Sequence, residues 1–289
     1  MHDSNLISFV RHGDLFVYCK ENNIFDSIIG AFPPEVATQN MTTYSSLKRD
    51  FSSTGPLAKL LTEDKQRILL ICDEFSISEF HEILPLIAKR SARTVIINLW
   101  CGTSWLFTKG KAEIDDIDMI LEHGIACCEP ADVESFLRML ESSTPTYIRT
   151  ADKDLPQKLF EDKPTPELFS GTLELLAAPS FTLICWGYLF HEALAFAQRA
   201  EQLWQQPAVF CFQNYSTALS PECIQALERS DRCVILLDQA ETNGYGEYLA
   251  SKLPPAITEQ LSFHFITPDT THITTPYAEL AYEQAWMSI

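Results

Sequence analysis

The chain is short of basic residues, of glycine and of long apolar runs. Lysine and arginine number 21 against 39 aspartates and glutamates, giving a net charge of -18. That balance disfavours nonspecific binding to nucleic acid or to anionic membrane, and it favours solubility. No run approaches the ~18 consecutive apolar residues of a membrane-spanning helix. The opening MHDSNLISFVRHGD lacks the charged start and apolar core of a signal peptide, so the expected compartment is the cytoplasm. The glycines form no G-x-G-x-x-G and no phosphate loop. The absence of G-x-S-x-G leaves a serine-hydrolase reading without support. No C-x-x-C pair occurs among the nine cysteines, and Cys127-Cys128 is an adjacent pair without zinc-ligand spacing. Cys72, Cys185, Cys211 and Cys233 lie inside apolar runs, the usage of small, buried, reduced hydrophobes.

What is present is an alternation of apolar runs and amphipathic stretches. Residues 14–19 (DLFVYC) read as a strand, and Asn22 to Phe32 as a loop or short helix stopped by Pro33-Pro34. Glu35 to Leu47 could open a helix after the prolines, and Ser-Ser-Thr-Gly-Pro then forces a turn within 48–62. From Arg67 the pattern sharpens. ILLIC (68–72) and TVIINLWCG (94–102) read as strands buried on both faces. Ser78 to Arg90 reads as a helix with Phe80, Ile83, Leu84 and Ile87 on one face, kinked or starting late because of Pro85. Ile114 to Leu121 reads as a short acidic helix. Ile125 to Cys128 is a short apolar run. Asp132 then N-caps a helix whose apolar face is Val133, Phe136, Leu137 and Leu140, and a strand follows over 146–150.

Three prolines and many charges between 151 and 170 mark a linker. A second series follows, with strands at 181–185, 208–213, 233–238 and 262–267. Helices are expected over Leu189 to Trp204, over Pro221 to Ser230 with Ser220 as N-cap, and over Tyr245 to Leu253. The fold class expected is α/β with two α/β domains, over 1–155 and 171–289, joined by a linker at 156–170. The first carries a mainly parallel sheet and the second is smaller.

Several local motifs lie in a telling order. Pro130-Ala131-Asp132 opens a helix, and Pro145-Thr146-Tyr147-Ile148-Arg149 ends the first domain. Trp186-Gly187-Tyr188 is followed by His191-Glu192-Ala193-Leu194. Asp238-Gln239 leads to Asn243-Gly244-Tyr245-Gly246, and Thr275-Pro276-Tyr277-Ala278 lies near the end. In these the chain resembles the C-terminal half of the transketolase family, which includes the β subunits of 2-oxoacid dehydrogenase E1. The resemblance implies a pyrimidine-binding (Pyr)-like domain and a transketolase C-terminal-like domain.

The family's catalytic glutamate bonds the aminopyrimidine of thiamine diphosphate. The matching segment here is Val36-Ala37-Thr38-Gln39-Asn40-Met41, so Thr38 stands in the glutamate's place. A threonine hydroxyl can hydrogen-bond but holds no charge near neutral pH. Glu35 lies three positions earlier and would point elsewhere on a helix. Phe75 and Phe80 match the family's aromatic pair, one of which stacks on the pyrimidine; core packing is the other reading of both. The resemblance therefore implies no catalytic residue in this chain and a cofactor-binding set of Thr38, Phe75 and Phe80. No histidine occurs between Gly102 and Ile117, where the family has one that meets the substrate. The family's Gly-Asp-Gly…Asn-Asn segment for magnesium and diphosphate is also missing. Thiamine diphosphate and magnesium would thus be held only if shared with a partner chain that carries a diphosphate-binding domain. A homodimer or such a heteromer is expected. The chain alone would be inactive, serving either as a β-like subunit of a transketolase-like enzyme or as an inactive scaffold or regulatory protein. Outside this pattern, His81-Glu82 reads as a site pair or as a solvated helix face. His191 lies after a strand end, where α/β folds place ligand loops, and His264 reads as structural.

Overall fold

The computed structural model describes residues 15, 18, 19, 21–30, 54–73, 77–99, 101, 116–150, 155, 173–174, 181–202, 207–230, 232–236, 249, 252–260 and 262–266. The chain divides into two compact units, each built on one five-stranded sheet.

In the first unit the continuous apolar runs become the buried centre of a parallel sheet. Its strands are β1 (Ser27–Gly30), β2 (Ile68–Asp73), β3 (Thr94–Leu99), β4 (Ala126–Cys128) and β5 (Thr146–Arg149). They lie in the order β1-β2-β3-β5-β4, and every pairing is parallel. Leu69, Leu70, Val95, Ile96 and Ile97 are at most 1% exposed, as expected of strands covered on both faces. Helices join successive strands: α1 (Pro56–Thr62), α2 (Leu84–Ala88), α3 (Asp116–Glu122) and α4 (Val133–Leu140).

Local chemistry sets the helix ends. Asp132 Oδ1 accepts from the Ser135 backbone N–H at 2.7 Å, and Ser135 Oγ accepts from the Asp132 backbone N–H at 3.1 Å, a complete capping box. Both residues are fully buried, so these donors have no water to fall back on. Asp132→Ala should therefore destabilise the first unit by about 1–2 kcal/mol, read as a lower urea midpoint at unchanged slope. The buried face of α4 is Val133, Phe136, Met139 and Leu140; Leu137 is only half-buried, and Met139 takes the place expected for it. At the end of α1, the buried Arg90 donates to the carbonyls of Leu60, Leu61 and Gln66. Asp64, with φ at +46°, accepts from the backbone of Ser91 and Ala92 and from the Ser91 hydroxyl. Those hydrogen bonds hold its carboxyl down at about 2.

Several expectations need correction. Leu15, Tyr18 and Cys19 are helical, not extended. Leu15 and Cys19, four apart, are both buried, and the Asn22 N–H returns to the Tyr18 carbonyl. The stretch read as a loop or short helix contains the edge strand β1. The turn expected within 48–62 is followed at once by α1, with Pro56 at its first position, where a missing N–H costs nothing. The helix expected over Ser78 to Arg90 is a 3-10 turn (Ile77–Phe80), a turn, and then α2 with Pro85 in its first turn. The late start that Pro85 suggested is what occurs.

In the second unit the strands are β6 (Leu173–Glu174), β7 (Phe181–Trp186), β8 (Pro207–Phe212), β9 (Arg232–Leu236) and β10 (Ser262–Ile266). The order is β10-β9-β7-β8-β6, parallel except for β6, which runs against β8. The helices are α5 (Phe190–Gln202), α6 (Pro221–Arg229) and α7 (Pro255–Gln260). Ser220 Oγ accepts from the Cys223 N–H, and Pro221 opens α6, as the sequence indicated. The short β6 and α7 carry too few residues to show a period, and they were not foreseen.

Candidate functional site

Open α/β sheets present their ligand-binding loops at the carboxyl ends of the strands. In the first unit that edge holds a buried polar cluster. Asn98 is on β3, Tyr147 and Arg149 on β5, Glu129 just past β4, and Asp116 at the start of α3. The parallel register sets Ile96 beside Tyr147 and Asn98 beside Arg149, so these side chains share one face of the sheet. Asn98 Nδ2 donates to the Tyr147 hydroxyl at 2.6 Å, and that hydroxyl donates to Asp116 Oδ2 at 2.5 Å. The Arg149 guanidinium donates to Asp116 Oδ1 and lies 3.4 Å from Glu129 Oε2. Arg149 is 2% exposed, and the side chains of Asp116 and Glu129 are 1% exposed.

Two carboxylates thus enclose one guanidinium. The cation is neutralised from within, and the arrangement anchors α3, β3, β4 and β5 to one another. Cys127, beside Tyr147 in the register, lies at the same edge. Burial pushes its thiol well up, and the Asp116 carboxylate adds to the shift. A thiol so held is no nucleophile at neutral pH.

The residues singled out from the sequence fare unequally. Phe80 ends the 3-10 turn after β2, at the carboxyl edge of the sheet, and is 1% exposed. Its burial is that of a core side chain. Thr38 and Phe75 lie outside the described residues, as do the segment 102–115 and the motifs at 238–246 and 275–278. The cluster around Arg149 was not foreseen as a unit. Its one sequence signal is a polar residue near the end of an otherwise apolar strand, Asn98 in TVIINL and Arg149 in TYIR.

In the second unit the chain leaves the neighbouring strands β7 and β9 in opposite directions, toward β8 and β10 respectively. Their carboxyl ends form the switch point of this sheet. The Trp186-Gly187-Tyr188 motif sits there, with Gly187 at φ +47°, a conformation that a β-carbon would strain. The Trp186 ring stacks on Tyr215, centroids 5.4 Å apart and planes within 6°. Gln213, following β8, is 2% exposed, and neither polar atom of its amide has a hydrogen-bond partner. Among the described residues no group of three or more His, Cys, Asp or Glu gathers as a metal cluster. No described helix is long and apolar enough to cross a membrane.

No protein-family model matches the sequence, and no curated protein is similar to it. Solved structures share the fold. A split-gene transketolase chain, solved as an inactive β4 tetramer, aligns with a TM-score of 0.67 at 14% identity over 97% of each chain. A transketolase from Campylobacter jejuni subsp. jejuni aligns at 0.56 and 9% identity, over 76% of this chain and 35% of that one. A transketolase variant from Pichia stipitis, in complex with xylulose 5-phosphate, aligns at 0.57 and 13% identity, over 76% of this chain and 34% of that one. This chain thus spans about a third of those two transketolases and nearly all of the split one. At such identities the likeness establishes a transketolase-like α/β fold.

Proposed function

We propose that the chain is the β-like, C-terminal-half subunit of a heteromeric transketolase-like enzyme that depends on thiamine diphosphate. A partner chain would bring the domain that binds magnesium and diphosphate. The observation that carries this reading is the alignment over 97% of both chains with a transketolase that is itself split between genes. No Gly-Asp-Gly…Asn-Asn segment occurs among these 289 residues, so on this reading a partner chain supplies it. Thiamine diphosphate, held between the chains, would supply carbanion-stabilising chemistry. This chain would supply apolar surface for a ring from Phe75 and Phe80, and a hydroxyl hydrogen bond from Thr38. By itself it would be inactive and homo-oligomeric.

The experiment is co-expression with a chain that carries Gly-Asp-Gly…Asn-Asn. The copurified complex is expected to bind thiamine diphosphate and turn over a ketose phosphate, while this chain alone does neither. A stable complex that takes up no thiamine diphosphate would refute the proposal.

A second reading, an inactive transketolase-like scaffold or regulatory protein, draws on Thr38 in the place of the family's glutamate. It predicts a complex with the fold and the partner but no turnover. Restoring the carboxylate with Thr38→Glu separates the two readings if activity then appears.

A further inference from the structure

Away from the Arg149 cluster, the first unit brings two imidazoles together across 42 residues of chain. His81 follows the 3-10 turn that ends at Phe80, and His123 follows the last residue of α3. Their ring centroids are 5.9 Å apart, with the planes at 70°. His81 is exposed and His123 is half-buried. The Nε2 atom of His123 is itself buried and has no hydrogen-bond partner. A buried ring nitrogen in that state destabilises the fold unless something coordinates it.

The spacing fits a shared ion. Two imidazoles bound through nitrogens about 2.0–2.1 Å from one metal place their centroids about 5–6 Å apart. The surroundings favour a cation. Exposed Glu82 and Glu122 adjoin the two histidines in sequence, and the carboxyl end of α3 carries partial negative charge. The chain as a whole bears -18.

We propose that His81 and His123 bind one divalent transition-metal ion of borderline softness, of the class of Zn²⁺ and Ni²⁺. Each imidazole gives one ring-nitrogen lone pair. No third His, Cys, Asp or Glu joins them among the described residues, so water completes the coordination. Bound metal would tie the turn before α2 to the end of α3 and stabilise the folded unit by mass action. His81-Glu82, a site pair or a solvated face by sequence, is then a half-site that α3 completes.

The test is calorimetric titration of the whole chain with Ni²⁺ near neutral pH, beside His81→Ala. Ni²⁺ avoids the thiol oxidation that Cu²⁺ would bring. Because His81 is exposed, the variant should keep the wild-type melting temperature without metal. Wild type is expected to bind one more Ni²⁺ than His81→Ala, or to bind it about tenfold or more tightly, since even second-shell changes at metal sites cost that much. Ni²⁺ should also raise the wild-type melting temperature and leave that of the variant unmoved. Equal Ni²⁺ uptake by both proteins, or none by wild type, overturns the proposal and leaves the pair as an edge-to-face ring contact.

Discussion

Arg149→Met should destabilise the first unit by about 3–5 kcal/mol, the cost of breaking a buried ion pair from one side. The size comes from what remains. Asp116 and Glu129, both at most 1% exposed, lose the guanidinium that both contact and keep their charges in a buried site. Methionine has nearly the length of the arginine stem, so a cavity is not the main source of the loss. The measurement is hydrogen exchange read on peptides from β3, β4 and β5, which reports this unit separately from the other. The origin of the loss is checked by adding Asp116→Asn and Glu129→Gln to Arg149→Met. Removing all the charges should recover much of the stability, because replacing a buried ion network with neutral groups is often close to neutral. A triple variant as unstable as the single one would place the cost in packing. Because the guanidinium is held by two carboxylates, its charge is neutralised within the cluster.

Apart from β1 and β6, the strands of both units could be read from their residues. ILLIC and TVIINL are apolar without alternation, which only a doubly covered strand requires. The caps at Asp132 and Ser220 were legible because a side-chain oxygen three residues before a free N–H is a local matter. What failed was also local, but ambiguous. DLFVYC is too short for periodicity to decide, and helical spacing of Leu15 and Cys19 won once both were buried. The turn read at Ser-Ser-Thr-Gly-Pro is present at 54–55. The helix that Pro56 opens after it was not read, although proline is at home in the first turn of a helix. The polar cluster lay beyond the sequence for a different reason. Asp116 and Arg149 are 33 residues apart, and only the register of β3 against β5, together with the entry of α3, brings them into contact. The pairing of His81 with His123 has the same origin. Of the pocket residues expected from the family likeness, only Phe80 falls among the described residues, so Thr38 and Phe75 remain within the proposed function.

The second large effect is expected on the alkaline side. None of the nine cysteines is in a disulfide, and all are buried. Burial pushes the thiols of Cys19 and Cys128 up to about 12 from an ordinary 9.0, and those of Cys127 and Cys233 upward as well. The folded chain therefore keeps protons that the unfolded chain releases. The stability these thiols contribute is complete below pH 9 and is lost as pH rises from there toward the folded values. Once the unfolded thiols are ionised, each withdraws about 1.4 kcal/mol per pH unit. Three of the four lie in the first unit, so that unit should weaken by roughly 4 kcal/mol per pH unit, and the second by about a third as much. A stability of about 5–15 kcal/mol does not survive many such units. Urea unfolding between about pH 9 and 10, below the ordinary value of lysine, reads the effect, and cysteine variants separate it from tyrosine ionisation. Across that window the unfolded thiols go from half to about nine-tenths ionised, so Cys127→Ala and Cys128→Ala should each flatten the slope by about 1 kcal/mol per pH unit. A stability that is level across that window would show that the thiols ionise as freely folded as unfolded. The same burial predicts that a maleimide labels none of the nine until the chain unfolds. Thiolate chemistry near neutral pH then has no place at Cys19, Cys127, Cys128 or Cys233.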